Sequence, residues 1–187
     1  MKHRHSKFIG LLRGINVGGH NKIRMADLRS LCEEIGWVDV ESYIQSGNLV
    51  FSAAATAACL EVQLEELIER HFGLQIPVIV READDFLGYR KTNPFPTASL
   101  KEPNRVMLAL SKRTPHSDSA ERLLERAANG ELITQIGDAL WIHFGKGSAG
   151  SKLSTALIDR LVGSPVTARN LRTVLKLEAL AASRPST

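Results

Sequence analysis

Four separated stretches of this sequence carry side chains suited to holding a negatively charged group. The first is Leu11-Leu12-Arg13-Gly14-Ile15-Asn16-Val17-Gly18-Gly19-His20-Asn21-Lys22. Its three glycines let the backbone turn several amides toward one point, and Arg13, His20, Lys22 and Arg24 concentrate positive charge around it. A helix pattern beginning near Met25 would add the positive end of its dipole. Arg13 is the candidate bidentate phosphate contact, because a guanidinium presents two parallel donors. The loop is not a P-loop, since His20 and Asn21 follow Gly19 where Lys and Ser or Thr belong. No GxGxxG dinucleotide fingerprint is present either, and no cofactor is implied. A plain strand-to-helix connection with solvated charges explains the composition about as well.

The second stretch, Gly145-Lys146-Gly147-Ser148-Ala149-Gly150-Ser151-Lys152, also follows a strand-like run. Its Ser151-Lys152 order reverses that of a P-loop, so it too is an anion cradle or simply a connection. In the third, Thr167-Ala168-Arg169-Asn170-Leu171-Arg172-Thr173, the pattern predicts the start of a last helix with Thr167 as N-cap. Arg169, Arg172 and Lys176 would then share an arc of about 60° on that helix, a stripe that suits phosphates or solvent equally. Asn170, at the helix start, is placed to organise backbone amides. The fourth stretch, Tyr43 to Phe51, turns at Ser46-Gly47, with Gln45, Ser46 and Asn48 as turn formers able to hydrogen-bond a ligand. Asn48 and Val50 stand at the two central positions where RNA-binding ferredoxin-like sheets carry stacking aromatics, so this is not an RNA-recognition motif.

The candidate anion ligands are therefore Arg13, Gly14, Asn16, Gly18, Gly19, Lys22, Gln45, Ser46, Asn48, Ser151, Lys152, Arg169 and Asn170. Catalytic residues are not identified, because no GxSxG elbow, HExxH helix or cysteine-nucleophile signature occurs. No metal site is expected: His3 and His5 are terminal, and His20, His71, His116 and His143 lack ligand spacing.

These stretches need elements to position them. Phe8 to Leu12 reads as a buried strand, and Leu28, Leu31, Cys32 and Ile35 recur at helical spacing up to Gly36. Val38 to Gln45 and Asn48 to Ser52 form a hairpin pattern. Leu60, Leu64, Leu67, Ile68 and His71 line a second helix closed by Gly73, and Ile76 to Val80 is a fourth strand followed by a short helix over Asp84 to Tyr89. Residues 92–103 hold three prolines and read as a connection without regular structure. The cycle then restarts with a strand at Arg105 to Leu110 and a helix at Ser117 to Ala128. A hairpin turns at Gly137-Asp138, one helix runs through Leu153, Leu157 and Leu161, and the last spans Ala168 to Ala182. The expected fold is α+β: two ferredoxin-like (split βαβ) subdomains in tandem, at 1–91 and 104–187, the second ending in two helices.

The chain is long enough for a substantial core, at 187 residues and 43% apolar composition. Its formal charge of +4 and pI near 9.3 admit an acidic partner without requiring one. Cys32 and Cys59, on apolar helix positions, fit reduced core thiols, and the short apolar run after the basic N-terminus supplies neither a signal core nor a membrane span. Cytoplasmic location follows as the expectation. The tail after Ala182 is expected to fray.

Together, Leu12-Arg13-Gly14-Ile15-Asn16-Val17-Gly18-Gly19, Tyr43-Ile44-Gln45-Ser46-Gly47-Asn48, Ser151-Lys152-Leu153 and Thr167-Ala168-Arg169-Asn170 resemble the bacterial family catalogued as domain of unknown function 1697. The resemblance extends from about Phe8 to Leu180 and departs at Leu171, where many relatives are expected to have tryptophan. It implies a cytosolic protein of two ferredoxin-like halves and no particular activity. The residues themselves leave three functions open. One is binding of a phosphate-bearing partner, either nucleic acid or a phosphorylated small molecule. The second is an enzyme for a small phosphorylated or carboxylated metabolite held between the subdomains, and the third a structural or oligomeric protein whose motifs serve turns and caps.

Overall fold

The computed structural model describes residues 5–183, so His3 and the end of the tail lie outside the described residues. The chain divides into two compact units. One comprises residues up to Leu87 together with those from Lys176 on, and the other is Gly88–Leu175.

The first unit runs β1 (Ser6–Leu12), α1 (Met25–Glu34), β2 (Val38–Ser42), β3 (Asn48–Ala53), α2 (Ala57–Phe72) and β4 (Val78–Glu82), then enters α3 (Ala83–Lys91). Its strands lie in the order β2-β3-β1-β4, every neighbouring pair antiparallel, which is the split βαβ arrangement. Alternate strand residues Phe8, Leu12, Phe51, Val78 and Val80 pack on Leu28, Cys32, Leu60, Leu64 and Ile68 of the two helices. Ile9 and Leu11, on the other face of β1, are buried as well, which is why β1 reads as an unbroken apolar run. Thr56 caps α2, its Oγ1 accepting from the Cys59 amide at 3.3 Å, and Gly73 ends that helix at φ +65°.

Three positions depart from the expected core, one of them Ile35, which lies just past the end of α1 and is 44% exposed. Cys59 and His71 sit in the first and last turns of α2 and are exposed, because the apolar stripe runs through Leu60, Leu64, Leu67 and Ile68 instead. Cys32 is buried as expected, and burial pushes its thiol up to about 12, keeping it protonated and inert.

The second unit contains α4 (Pro96–Lys101), β5 (Val106–Ser111), α5 (Ser119–Leu124), β6 (Glu131–Ile136), β7 (Ala139–Phe144), α6 (Thr155–Val162), β8 (Val166–Asn170) and the start of α7 (Leu171–Ala182). The sheet order β6-β7-β5-β8 repeats that of the first unit. Ala109, Leu123, Ile133, Leu140, Ile142, Leu161 and Val162 form its core. Helices α6 and α7 close the chain as expected, but a strand lies between them. Thr167–Asn170, read from sequence as the opening of the last helix, belongs to β8, which pairs with β5 from Ser111↔Val166 to Met107↔Asn170. Its polar residues resemble a helix start, and only the vacant edge of β5 makes it a strand. The proline-rich stretch also holds one regular element, α4, because Pro96 at the first helical position needs no amide partner.

The hairpin between β2 and β3 closes against the end of β1. The Leu12 amide donates to the Gly47 carbonyl at 2.8 Å, and a Cβ on Gly47 would fall 2.6 Å from the Leu12 Cβ, with φ at +77°. Gly47→Ala is therefore expected to cost about 2–4 kcal/mol, combining steric overlap with a left-handed backbone. Gly14→Ala, at φ +65° but with open space around it, should cost only ~1 kcal/mol. Urea unfolding of the two variants checks the contrast.

Candidate functional site

The glycine loop of the first unit is shaped by one asparagine. Asn16, itself left-handed at φ +55°, donates from Nδ2 to the carbonyls of Ile23 (3.0 Å) and Gln45 (2.7 Å), while its Oδ1 accepts from the Ile23 amide at 3.0 Å. This ties both ends of the loop to the β2–β3 hairpin. Asn21 adds a second brace, from Nδ2 to the Gly14 carbonyl at 3.0 Å. Between them the chain reverses at Gly18 and Gly19, with φ of +57° and +80°, closed by the His20 amide on the Val17 carbonyl at 3.0 Å. Two successive positive φ angles at the centre of a tight turn explain the glycine pair.

Folding this way leaves an open hollow of about 480 Å³ lined by Asn16, Gly19, Lys22, Ile23, Arg24 and Gln45. Helix α1 starts beside it from Arg24, with no side chain capping its first amides. Arg24 and Asp27 are both exposed and 3.8 Å apart. Lys22, Gly18, Gly19 and Gln45 are exposed, whereas Arg13 is half-buried.

The remaining hairpin candidates turn inward. Asn48 is 0% exposed, and its Nδ2 donates to the Tyr43 carbonyl and to Ser46 Oγ, both at 3.0 Å. Val50 is buried too, so neither central sheet position is available for stacking bases. Ile44 adopts φ +50°, a strained conformation for a β-branched residue, and is 51% exposed.

In the second unit the glycine loop is organised around a carboxylate. Glu131, a buried residue, accepts from the amides of Ala128 (3.1 Å) and Asn129 (2.7 Å), and Ser151 donates its hydroxyl to Oε1. Asn129 Nδ2 reaches the carbonyls of Gly147 and Ala149 at 3.3 and 3.2 Å. The Ser151 hydrogen bond is the first cause that holds the Glu131 carboxyl below the usual carboxylate range, against the opposing pull of burial. Ser151 thus serves a fixed negative charge, while Lys152 beside it is exposed.

The other candidates of this unit are likewise engaged. Arg169 lies on β8 rather than on the last helix and is only 9% exposed, so it does not share a surface stripe with Arg172 and Lys176. Its guanidinium donates to Thr167 Oγ1 (2.8 Å) and the Ala168 carbonyl (2.9 Å), and burial lowers its pKa to about 10. Asn170 is the cap of α7, its Oδ1 accepting from the Thr173 amide at 2.9 Å. Among the described residues no group of three or more His, Cys, Asp or Glu side chains could hold a metal, and no helix is long and apolar enough to cross a membrane.

The family described as Protein of unknown function (DUF1697) matches the chain over residues 5–141. The chain belongs to that family. Both first-unit motifs of this DUF1697 member fall inside the matched span, whereas Ser151-Lys152 and Thr167–Asn170 lie beyond it. Among solved structures it is similar to the conserved bacterial protein SP0830 from Streptococcus pneumoniae, with a TM-score of 0.72 and 24% identity over 95% of this chain and 99% of that one. At that identity the likeness is one of fold. No curated protein matches the chain.

Sequence reading singled out Asn16 and Ser151 and placed the Arg24 charge at this loop, but gave no sign of Ile23 or of Glu131. A lone Glu at the head of a strand carries no local signal of the loop that will wrap it. Asn16→Ala should cost about 2–3 kcal/mol, three hydrogen bonds at roughly 1 kcal/mol each, in urea unfolding. For Glu131, whose folded pKa is depressed, the stabilisation is present above the usual carboxylate range and disappears as pH falls through the folded value. Glu131→Gln should therefore be less stable than the parent at neutral pH, and the gap should narrow below about pH 4. Equal losses at both pH values would contradict this.

Proposed function

We propose that this protein binds a phosphate-bearing partner through the glycine loop of its first unit, with Gly18, Gly19, Lys22, Arg24 and Gln45 as the contact surface. The reading is supported chiefly by the Asn16 clamp, which holds an exposed two-glycine turn, two cations and the uncapped start of α1 around one hollow. Such a surface meets a phosphate with backbone donors and mobile positive charge together. Strain at Ile44 in the adjoining hairpin adds support, since conformations costing ~1–2 kcal/mol tend to be kept where a surface is used. Asn16 positions the loop without needing to touch the ligand.

The candidates of the second unit are less suited to this role. Ser151 and Asn170 are spent on Glu131 and on the α7 cap, and a buried carboxylate beside the second loop opposes an anion. An acid–base enzyme finds no corresponding arrangement around the first-unit hollow, which contains no carboxylate or imidazole among its lining residues.

A fluorescent single-stranded oligonucleotide and inorganic pyrophosphate serve as probes. Affinity for the oligonucleotide should fall with salt, and Lys22→Ala/Arg24→Ala should reduce the log–log salt slope by about 1.4, at ~0.7 per lost phosphate contact. Pyrophosphate competition would point to a small phosphorylated ligand as well. Absence of binding to both probes at low ionic strength, or an unchanged slope in the double variant, would overturn the proposal.

A further inference from the structure

We propose that the second unit holds a separate site for a small organic acid with an apolar body, centred on His143 and independent of the glycine loop. A hollow of about 510 Å³ lies there, lined by the Pro94–Ala98 segment, Lys101, Glu102, Leu132 and His143. That volume is in the range of small-molecule sites, roughly 300–1,000 Å³.

The walls are built rather than incidental. Asn93 Oδ1 accepts from the Phe95 amide at 3.0 Å, Asn93 Nδ2 donates to Ser99 Oγ at 2.8 Å, and Ser99 Oγ donates to the Phe95 carbonyl at 2.7 Å. This circuit fixes the Pro94-Phe95-Pro96 segment and sets the Phe95 ring 5.8 Å from the His143 imidazole, centroid to centroid. Leu132 is the direct cross-strand partner of His143 and stays 53% exposed at the hollow. An apolar surface left open beside a ring and two prolines favours an apolar guest.

The polar end is equally defined. His143 Nε2 lies 2.8 Å from Glu102 Oε1, and Arg105 donates to Glu102 Oε2 at 2.8 Å. The hydrogen bond from His143, ahead of the Arg105 charge, holds the Glu102 carboxyl below the usual range, so it is ionised and accepts the Nε2 proton. The imidazole is thereby oriented, its Nε2 held by the carboxylate and its Nδ1 left as the second polar atom of the ring. Lys101 and Arg105 against Glu102 leave one positive charge in excess even with the imidazole neutral. An acid group meets Lys101, and its apolar body meets Phe95, Pro94 and Leu132 around the imidazole. Charge complementarity selects an acid over an uncharged aromatic or an apolar peptide side chain.

Titration of the full chain, labelled with ¹⁵N-histidine, with phenylacetate and its uncharged counterpart 2-phenylethanol tests this. Phenylacetate should shift the His143 ring nitrogens saturably and bind about tenfold more tightly than the alcohol. Lys101→Ala, an exposed position, should erase most of that preference, and Ala98→Trp should fill the hollow and abolish binding. No saturable shift with phenylacetate, equal affinity for acid and alcohol, or binding undiminished by both variants would overturn the assignment. Should Ala98→Trp fail to fold, the Lys101→Ala comparison decides alone.

Discussion

One asparagine side chain answers three backbone groups of the first unit, and the exposed loop has a definite shape because of it. Asn16 holds Ile23 from both sides and reaches across to Gln45, so the turn at Gly18-Gly19 is suspended from β1, α1 and the β2–β3 hairpin together. The hairpin is in turn pressed onto Leu12 and Ile15, where only a glycine at position 47 leaves room. A loop without this clamp would sample many conformations, and an anion would have to order it on binding at an entropic cost. Preorganisation is thus the property that separates this loop from an ordinary glycine-rich connection.

The second unit solves the same problem with opposite chemistry. Its glycine loop closes around the Glu131 carboxylate, which collects two amides and the Ser151 hydroxyl, and Asn129 gathers carbonyls from the loop's far side. Two loops of similar composition therefore differ in what they offer. Both expose lysines, but the first has no carboxylate among the residues lining its hollow, while the second commits its Ser151 hydroxyl to a fixed negative charge. Composition cannot separate these cases, because the deciding partner, Glu131, enters from the head of a strand 20 residues before Ser151.

The α+β class and the two split βαβ units were legible because their signals are local and periodic. Apolar residues at helical spacing in α2, the Gly137-Asp138 turn and the Gly73 stop each act through nearby backbone. Strand β8 was not legible. Thr167, Arg169 and Asn170 satisfy the sequence rules for a helix start, yet hydrogen bonds offered by the edge of β5 outweigh that preference. The consequence reaches the site, since Arg169 is moved from a supposed surface stripe into a buried strand. Likewise His143 reads as one alternating strand residue among others, and its pairing with Glu102 crosses 41 positions.

By itself the sequence determined where the chain bends, which faces are apolar and where positive charge gathers, all consequences of neighbours within about one helical turn or one hairpin. Tertiary structure decided which of those polar groups remain open to a partner. Whether Asn16, Asn48, Ser151 or Arg169 faces solvent depends on backbone and carboxylate groups that arrive from distant segments, and a polar side chain buried by folding takes whichever of those partners lies within reach.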